Sequence, residues 1–323
     1  MHELDVIKSY VTKDTELQHL FNRYLTDCEY TKRLRPQTIK GYREVFNNFQ
    51  ITVPEITSVD DICPHLVGEF FRRLGTKKRH VGTTTKIGVK PSTTDTYYRK
   101  LMAFFNWLEN NGYIPEKSIS NKIARPPTPT YDDDKALTEE EVSKIISAIS
   151  LNGITNAFQY KRDIAILSIL LYTGIRKGEL LGLRVQDVDF HEQTLFIRDM
   201  TSKSKRSRII PVHGILLTQL KTYLKARKNK KSICEALIIS TRRDSPFTSH
   251  GLKHWVEKYN QLSGVNFHLH RFRHTFACRL AKANADVTSI MNVLGHSSLR
   301  MTQRYLRSIK SEDARSYIDK LSF

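Results

Sequence analysis

The chain of 323 residues carries 52 Lys and Arg against 33 Asp and Glu, a formal net charge of +19. At 39% hydrophobic and 10% aromatic, with 14 Gly and 10 Pro, it reads as two or three folded domains and excludes a disordered polycation. Its most apolar stretch, Ile164 to Tyr172, is well short of the roughly 20 residues that a bilayer span needs, and no basic-then-apolar leader opens the chain, so a cytoplasmic protein with no membrane role is expected.

In chain order, helical patterns are predicted over Glu16–Tyr30, over Gln37–Phe49 after Pro36, over Pro64–Leu74 and over Thr93–Asn111 up to Gly112, together a small helical bundle. Between Phe70 and Lys100 there are nine Lys or Arg and one acid, interleaved with Gly75, Gly82, Gly88 and Thr83-Thr84-Thr85. This basic loop is either simply solvated or in contact with phosphate. Three prolines and three acids in Arg125–Asp134 forbid a continuing helix and mark a linker. Thr138-Glu139-Glu140-Glu141 then forms a capping box ahead of Val142, Ile145, Ile146 and Ile149, so a second domain starts near Lys135. Thr194–Asp199 and Arg206–Val212 are strand-like and enclose Met200–Lys205, a hairpin with a basic tip; Ala236–Ser240 is a further short candidate strand. The rest is helical, and no internal repeat or low-complexity tract is seen. The fold class is therefore mainly α with a small β-hairpin or sheet, α+β overall.

Cys28, Cys63, Cys234 and Cys278 are widely separated and match neither a disulfide framework nor zinc spacing, so they read as reduced thiols. The net charge is +6 over residues 1–130 (20 basic, 14 acidic) and +13 over 131–323 (32 basic, 19 acidic), so both halves are basic. Such a surplus calls for a polyanion, and nucleic acid is the commonest; a membrane surface is the weaker alternative, since no lipidation motif accompanies the charge.

Five fragments of the second half carry the chemistry. Thr173-Gly174-Ile175-Arg176-Lys177-Gly178-Glu179 ends one helix and starts another, with Arg176 at the joint, where it serves a ligand, the solvent or Glu179. Lys203 sits at the hairpin tip, followed by Lys205, Arg206 and Arg208. His268-Leu269-His270-Arg271-Phe272-Arg273-His274 puts His270 and Arg273 three apart on one helix face, with no carboxylate or Cys nearby to complete a metal site. Leu294-Gly295-His296 follows, then Tyr305 nine residues on. Taken singly, these are ordinary cap, packing and surface residues. Together, in this order, they suit phosphodiester cleavage. Two arginines hold the equatorial oxygens of a phosphorane, while Tyr, His and Lys act as nucleophile, base and acid without metal or other cofactor.

From Lys135 to about Leu306 these fragments resemble the tyrosine recombinase (phage integrase) family, of the two-domain type. The resemblance implies a site-specific recombinase that cuts and rejoins DNA through a 3′-phosphotyrosine, with no ATP. It places the family's arginines on Arg176 and Arg273, its hairpin lysine on Lys203, its histidines on His270 and His296 and its nucleophile on Tyr305. Phe272 in place of a common leucine, and Arg271 inside the box, are small departures. The first half resembles the core-binding domain in pattern only, best at Arg35-Pro36-Gln37-Thr38-Ile39 and over Thr93–Trp107. About a dozen residues precede its first helix, too few for an arm-binding domain.

The expected organisation is thus a helical core-DNA-binding domain over 1–124, a linker over 125–134 and a catalytic domain over 135–323. DNA contacts are expected from Arg72, Arg73, Lys77, Lys78, Arg79, Lys86, Lys90 and Lys100, and from Lys205 and Arg206. The expected partners are double-stranded DNA with inverted-repeat core sites and three further copies of the chain in a synapse, with room for accessory DNA-bending factors; the free protein is a monomer or weak oligomer, and it is nucleoid-associated. Ala314, Tyr317, Ile318 and Leu321 form an apolar stripe on a C-terminal helix over 311–323. The stripe alone leaves packing in cis and docking onto a neighbour equal, and the resemblance favours the neighbour. Two rival functions remain at this point: a DNA-binding regulator that does not cut, and a type IB topoisomerase that cuts without choosing a sequence.

Overall fold

Among the described residues, proline opens three of the four α-helices in the first part of the chain. With its φ fixed near the helical value and no N–H to satisfy, it suits the first helical position. Pro36, Pro64 and Pro91 each occupy that place, and each follows a residue in extended conformation. The computed structural model describes residues 16–81, 84–127, 136–154, 156–199, 206–296 and 298–306; the side chains of Val81, Arg300 and 304–306 lie outside the description. The chain divides into two compact units, Met1–Tyr131 and Asp132–Phe323. Among the described residues no helix is long and apolar enough to cross a membrane.

The first unit contains α1 (Leu17–Thr26), α2 (Pro36–Thr52), α3 (Pro64–Thr76), an antiparallel pair β1 (Lys78–Val81) and β2 (Thr84–Ile87), and α4 (Pro91–Asn110). Its core is aromatic. Phe21 stacks on Phe46 and meets the edge of Phe104, while Phe49 meets Phe70 and Phe105 edge-on. Such pairs add about 0.5–1.5 kcal/mol each beyond their burial. Glu109, near the end of α4, accepts hydrogen bonds from Ile119 N, Ser120 N and the Ser120 hydroxyl, which pins the chain that follows.

The expected elements need three adjustments here. The first helix stops at Thr26 and runs on as a π-turn, Asp27–Thr31, rather than as α-helix to Tyr30. The last starts at Pro91, two residues earlier than expected. The basic loop is not irregular: within it Lys78–Val81 and Thr84–Ile87 pair in register.

The second unit opens on the capping box. The Glu141 amide donates to the Thr138 hydroxyl, and the Thr138 amide donates to the Glu141 carboxylate, at the start of α5 (Glu139–Asn152). Next, α6 (Ala157–Thr173) is apolar nearly all round from Ile164 onward, the signature of a buried helix. It packs against α5, α8 (Gly214–Asn229) and α10 (Leu269–Lys282). Between them lie α7 (Lys177–Gly182) and a three-stranded antiparallel sheet, β3 (Val188–Asp189), β4 (Thr194–Ile197) and β5 (Arg208–Pro211). Leu195, Ile197 and Ile210 point into the core, while Phe196 and Ile209, directly opposite each other, stay exposed. The Met200–Lys205 tip, with Lys203 and Lys205, lies outside the described residues. Then come α9 (Ser249–Ser263), α11 (Val287–Leu294) and α12 (Leu299–Leu306). Residues 311–323 also lie outside the described residues, as do 128–135 of the linker.

Ala236–Ser240 is not a strand. Leu237, Ile238 and Ile239 are buried, but their backbones bond to separate loops and one side chain: Leu237 N to Leu183 O, Phe247 N to Ile238 O and Ile239 N to the Tyr223 hydroxyl. Burial without a continuous ladder partner makes an apolar run look like a strand in sequence.

Gly174 closes α6 at φ +58, and a Cβ there would stand 2.6 Å from the Phe276 ring. Gly174→Ala therefore combines left-handed strain of about 1–2 kcal/mol with a clash. A fall of several degrees in the melting temperature is expected in a thermal denaturation scan, and an unchanged midpoint would contradict the close approach.

Candidate active site

The left-handed turn at Gly174 makes the break between α6 and α7 abrupt, and Arg176 becomes the N-cap of α7. Its amide donates to Glu179 Oε2 at 2.8 Å, its Nη1 donates to Glu179 Oε1 at 3.1 Å and its Nη2 donates to Gly295 O at 3.1 Å. Arg273, on α10 and 2% exposed, donates through Nη1 to Gly174 O at 2.9 Å and through Nη2 to Leu294 O at 2.7 Å. Two arginines 97 positions apart in sequence are thus held by consecutive carbonyls of the turn that ends α11. Carbonyls orient a guanidinium without cancelling its charge.

His296 comes directly after that turn. Its Nδ1 lies 2.8 Å from the hydroxyl of Thr302, which is fully buried in α12. Tyr305 lies one turn beyond Thr302 in the same helix, with its side chain outside the described residues. His270 is exposed in the first turn of α10, three residues ahead of Arg273. Lys203 is outside the described residues, but the strands flanking it are fixed up to the Ile197–Arg208 pair.

Two residues that the sequence offers only as neighbours, Glu179 as one possible partner of Arg176 and Arg208 as a residue following Lys203, are built into this cluster. Glu179 has no solvent exposure, and Arg208 grips it from β5, Nη1 to Oε1 at 3.1 Å and Nη2 to Oε2 at 2.8 Å, while Arg208 Nε donates to Val293 O at 2.7 Å. Burial alone would raise the Glu179 carboxyl. The hydrogen bonds and charge of Arg208, with those of Arg176, outweigh it and push the group down to about 2. Two guanidinium groups on one carboxylate, with Arg273 held nearby on the carbonyls of Gly174 and Leu294, leave net positive charge, suited to an anionic ligand. A sequence signal existed for both. Glu179 stands at the capping-box position relative to Arg176, and Arg208 shares the strand face of buried Ile210, two residues on.

Arg271 adds no charge to this cluster. It pairs with Glu141 at 2.8 Å and donates to Asn266 O and Ala136 O, tying α10 to the start of α5. Among the described residues no group of three His, Cys, Asp or Glu is placed to hold a metal ion.

Of the expected DNA-contact residues, Lys77, Lys78, Lys86, Lys90 and Arg206 are exposed, and Lys205 lies outside the described residues. Arg72 pairs with Glu69, and Arg73 with Glu69, Glu55 and Thr52 O. Arg79 is half-buried and donates to Gly88 O at 2.7 Å. Lys100 is half-buried near the Tyr42 ring, its ammonium lowered by burial.

A carboxyl held near 2 in the fold and near 4.5 when unfolded stabilises the protein above about pH 4.5, and this contribution drains away as pH falls toward 2. Its size is on the order of 3 kcal/mol. Glu179→Gln should therefore melt lower than the parent at pH 7, with the gap narrowing as pH falls from 4.5 toward 2. Melting curves across that range check this, and a gap independent of pH would refute it.

Residues 135–312 match the family model described as the phage integrase family. The tyrosine recombinase XerC of Thermodesulfovibrio yellowstonii is 30% identical over 304 residues, covering 90% of this chain and 92% of that one. A tyrosine recombinase of Agathobacter rectalis is 30% identical over 317 residues, covering 94% and 96%. In structure the chain is similar to the Tn1549 transposon integrase in complex with transposon right end DNA (TM-score 0.71, 19% identity, 94% of this chain and 99% of that one). It is also similar to a lambda integrase dimer bound to a COC′ core site (TM-score 0.70, 18% identity, 95% and 81%). With the family model spanning more than half of its length and a relative 30% identical across nine-tenths of it, the chain belongs to the phage integrase family and is a site-specific tyrosine recombinase.

Proposed function

We propose that Arg176, Lys203, His270, Arg273, His296 and Tyr305 carry strand cleavage and rejoining. In the cleavage step a bond forms between the Tyr305 oxygen and phosphorus while the bond from phosphorus to the 5′ oxygen breaks. The tyrosine proton leaves with His270 acting as base or orienting group, Lys203 protonates the departing 5′ oxygen, and the 3′ end remains esterified to Tyr305. The reverse sequence, with a 5′ hydroxyl from another strand, reseals the DNA. Arg176 and Arg273 hold the equatorial oxygens of the phosphorane, and His296 donates to one of them.

The observation that carries this reading is the convergence of Arg176 and Arg273 on the Leu294-Gly295 carbonyls, directly before His296. Donors fixed in advance need no reorganisation as charge develops, and loss of one costs about a hundred- to a thousandfold in rate. The DNA partner is supported by the +19 charge and by the similar proteins solved with DNA, the lambda integrase dimer on a COC′ core site and the Tn1549 integrase on transposon right end DNA. We assign DNA binding to the 1–124 region and catalysis to the 135–323 region, on inverted-repeat core sites, with four copies in the synapse and the protein working at the nucleoid.

Tyr305→Phe should abolish covalent protein–DNA adducts on nicked duplexes taken from DNA flanking the gene, while binding in a gel-shift assay stays nearly unchanged. An undiminished covalent band would remove Tyr305 from this role, and absence of adducts from the parent protein would favour a regulator that only binds. Lys203→Ala should lose cleavage on ordinary DNA and regain it on a 5′-bridging phosphorothiolate, whose leaving group needs no proton. Without selective rescue, Lys203 is only an electrostatic contact.

A further inference from the structure

Between α3 and α4 the chain builds a hairpin that the core does not cover. The register pairs Lys78 with Ile87, Arg79 with Lys86, His80 with Thr85 and Val81 with Thr84. Every residue of β2 is exposed, Ile87 at 72%, and only Val89, beyond the pair, packs on the core of this unit. A lone two-stranded pair is marginal in water. Here Arg79 also stands opposite Lys86, and like charges at directly paired positions are destabilising. No carboxylate occurs between Glu69 and Asp95 to relieve them.

The base of the hairpin is nevertheless firmly built. Gly88, at φ +71, donates its N–H to Lys77 O at 2.8 Å and accepts from Arg79 Nε at 2.7 Å, and a Cβ there would meet Gly75 O at 2.6 Å. A cationic arm on a fixed base, with no covering element among the described residues, is complementary to a polyanion that supplies what the fold withholds.

The width of the arm decides where on a duplex it fits. Paired strands lie about 4.8 Å apart, and with their side chains they fill a major groove of about 12 Å but not a minor groove of about 6 Å. Strand alternation sets Lys78, His80, Thr85 and Ile87 on one face and Arg79, Thr84 and Lys86 on the other. The first face mixes an ammonium, a hydroxyl bonded to an imidazole at 3.2 Å and an exposed apolar side chain. These groups match guanine O6 and N7, the mixed donors and acceptors of base edges, and the thymine methyl. We infer that the β1–β2 hairpin reads sequence in the major groove of the recombination site, with Lys78, His80, Thr85 and Ile87 toward the bases and Lys86 toward the backbone. This rests on the recombinase reading above and adds to it the element that selects part of the site.

The test is selection from a random-sequence duplex library by the full-length protein and two variants. In one, Asn-Gly replaces Lys78–Ile87 and closes the chain from Lys77 to Gly88, removing no side chain of the core. The other is K78A/H80A/T85A/I87A. Both variants should lose base preference at three or four adjacent pairs and keep the rest, with about ten- to a hundredfold weaker binding to the parent's selected site. Methylation of guanine N7 in that block should hinder binding of the parent and not of the variants. K86A should weaken selected and random duplexes alike and lower the salt slope by about one ion. Unchanged preferences in both variants, with the parent forming adducts on its selected site, would overturn the role of the hairpin alone. A parent that selects no sequence and forms no adduct would overturn the recombinase reading and this inference with it.

Discussion

Two consecutive carbonyls, those of Leu294 and Gly295, hold Arg176 and Arg273, the two arginines to which we assign the phosphate. A carbonyl accepts a guanidinium hydrogen bond, fixes its plane and leaves the positive charge in place. Arg273 is held by carbonyls in this way, whereas Arg176 also shares the Glu179 carboxylate with Arg208. The carbonyls are available because α11 ends there, where the last turn has no further amides to accept from, and Gly295 at φ +63 turns the chain sharply enough to present them. A side chain at that glycine would meet the Arg208 guanidinium at 2.8 Å, so the turn is crowded as well as left-handed. The end of α6, the middle of α10 and the end of α11 are therefore bound to one another through Arg176 and Arg273.

Glu179 supplies the complementary constraint. A carboxylate with no solvent exposure loses its hydration, and only good partners offset that loss. Arg208 provides a two-point contact, and the Arg176 amide and Nη1 complete it. The consequence is mechanical. The start of β5 is fastened to the residue that caps the Arg176 helix, and through Arg208 Nε to Val293 O as well. The β4–β5 pair is thus fixed to the same anchor as Arg176.

How much of this is legible in sequence follows from how local each interaction is. Pro36 and Pro64 at the first helical position, the Thr138–Glu141 box and the break at Gly174 act within four residues and were readable, while Pro91 in the same role was not. The β4–β5 pairing was readable because Leu195, Ile197 and Ile210 alternate with exposed neighbours. The β1–β2 pair was not, since strands of Lys, Arg, His and Thr bury nothing and leave no hydrophobic period. Ala236–Ser240 misled in the opposite direction, with apolar burial and no continuous ladder. Glu179 and Arg208 were visible only as a spacing and a strand face. Their meeting across 29 positions is a tertiary fact.

The same distinction applies to charge. The nine basic residues between Phe70 and Lys100 look equivalent in a composition count, yet the fold sorts them. Arg73 holds α3 to Thr52 and Glu55, Arg72 leans on Glu69, Arg99 pairs with Asp95, and Lys100 is drawn against Tyr42 at a cost that lowers its ammonium. Lys77, Lys78, Lys86 and Lys90 remain exposed, on or beside the hairpin, with no acid between Glu69 and Asp95. A phosphate backbone responds to charge that stays hydrated and unneutralised until contact, because release of its counterions drives association. The fold therefore concentrates the uncompensated charge of this segment on its least covered element, and a net charge read from composition becomes a directed one only after the internal pairs are removed from the count.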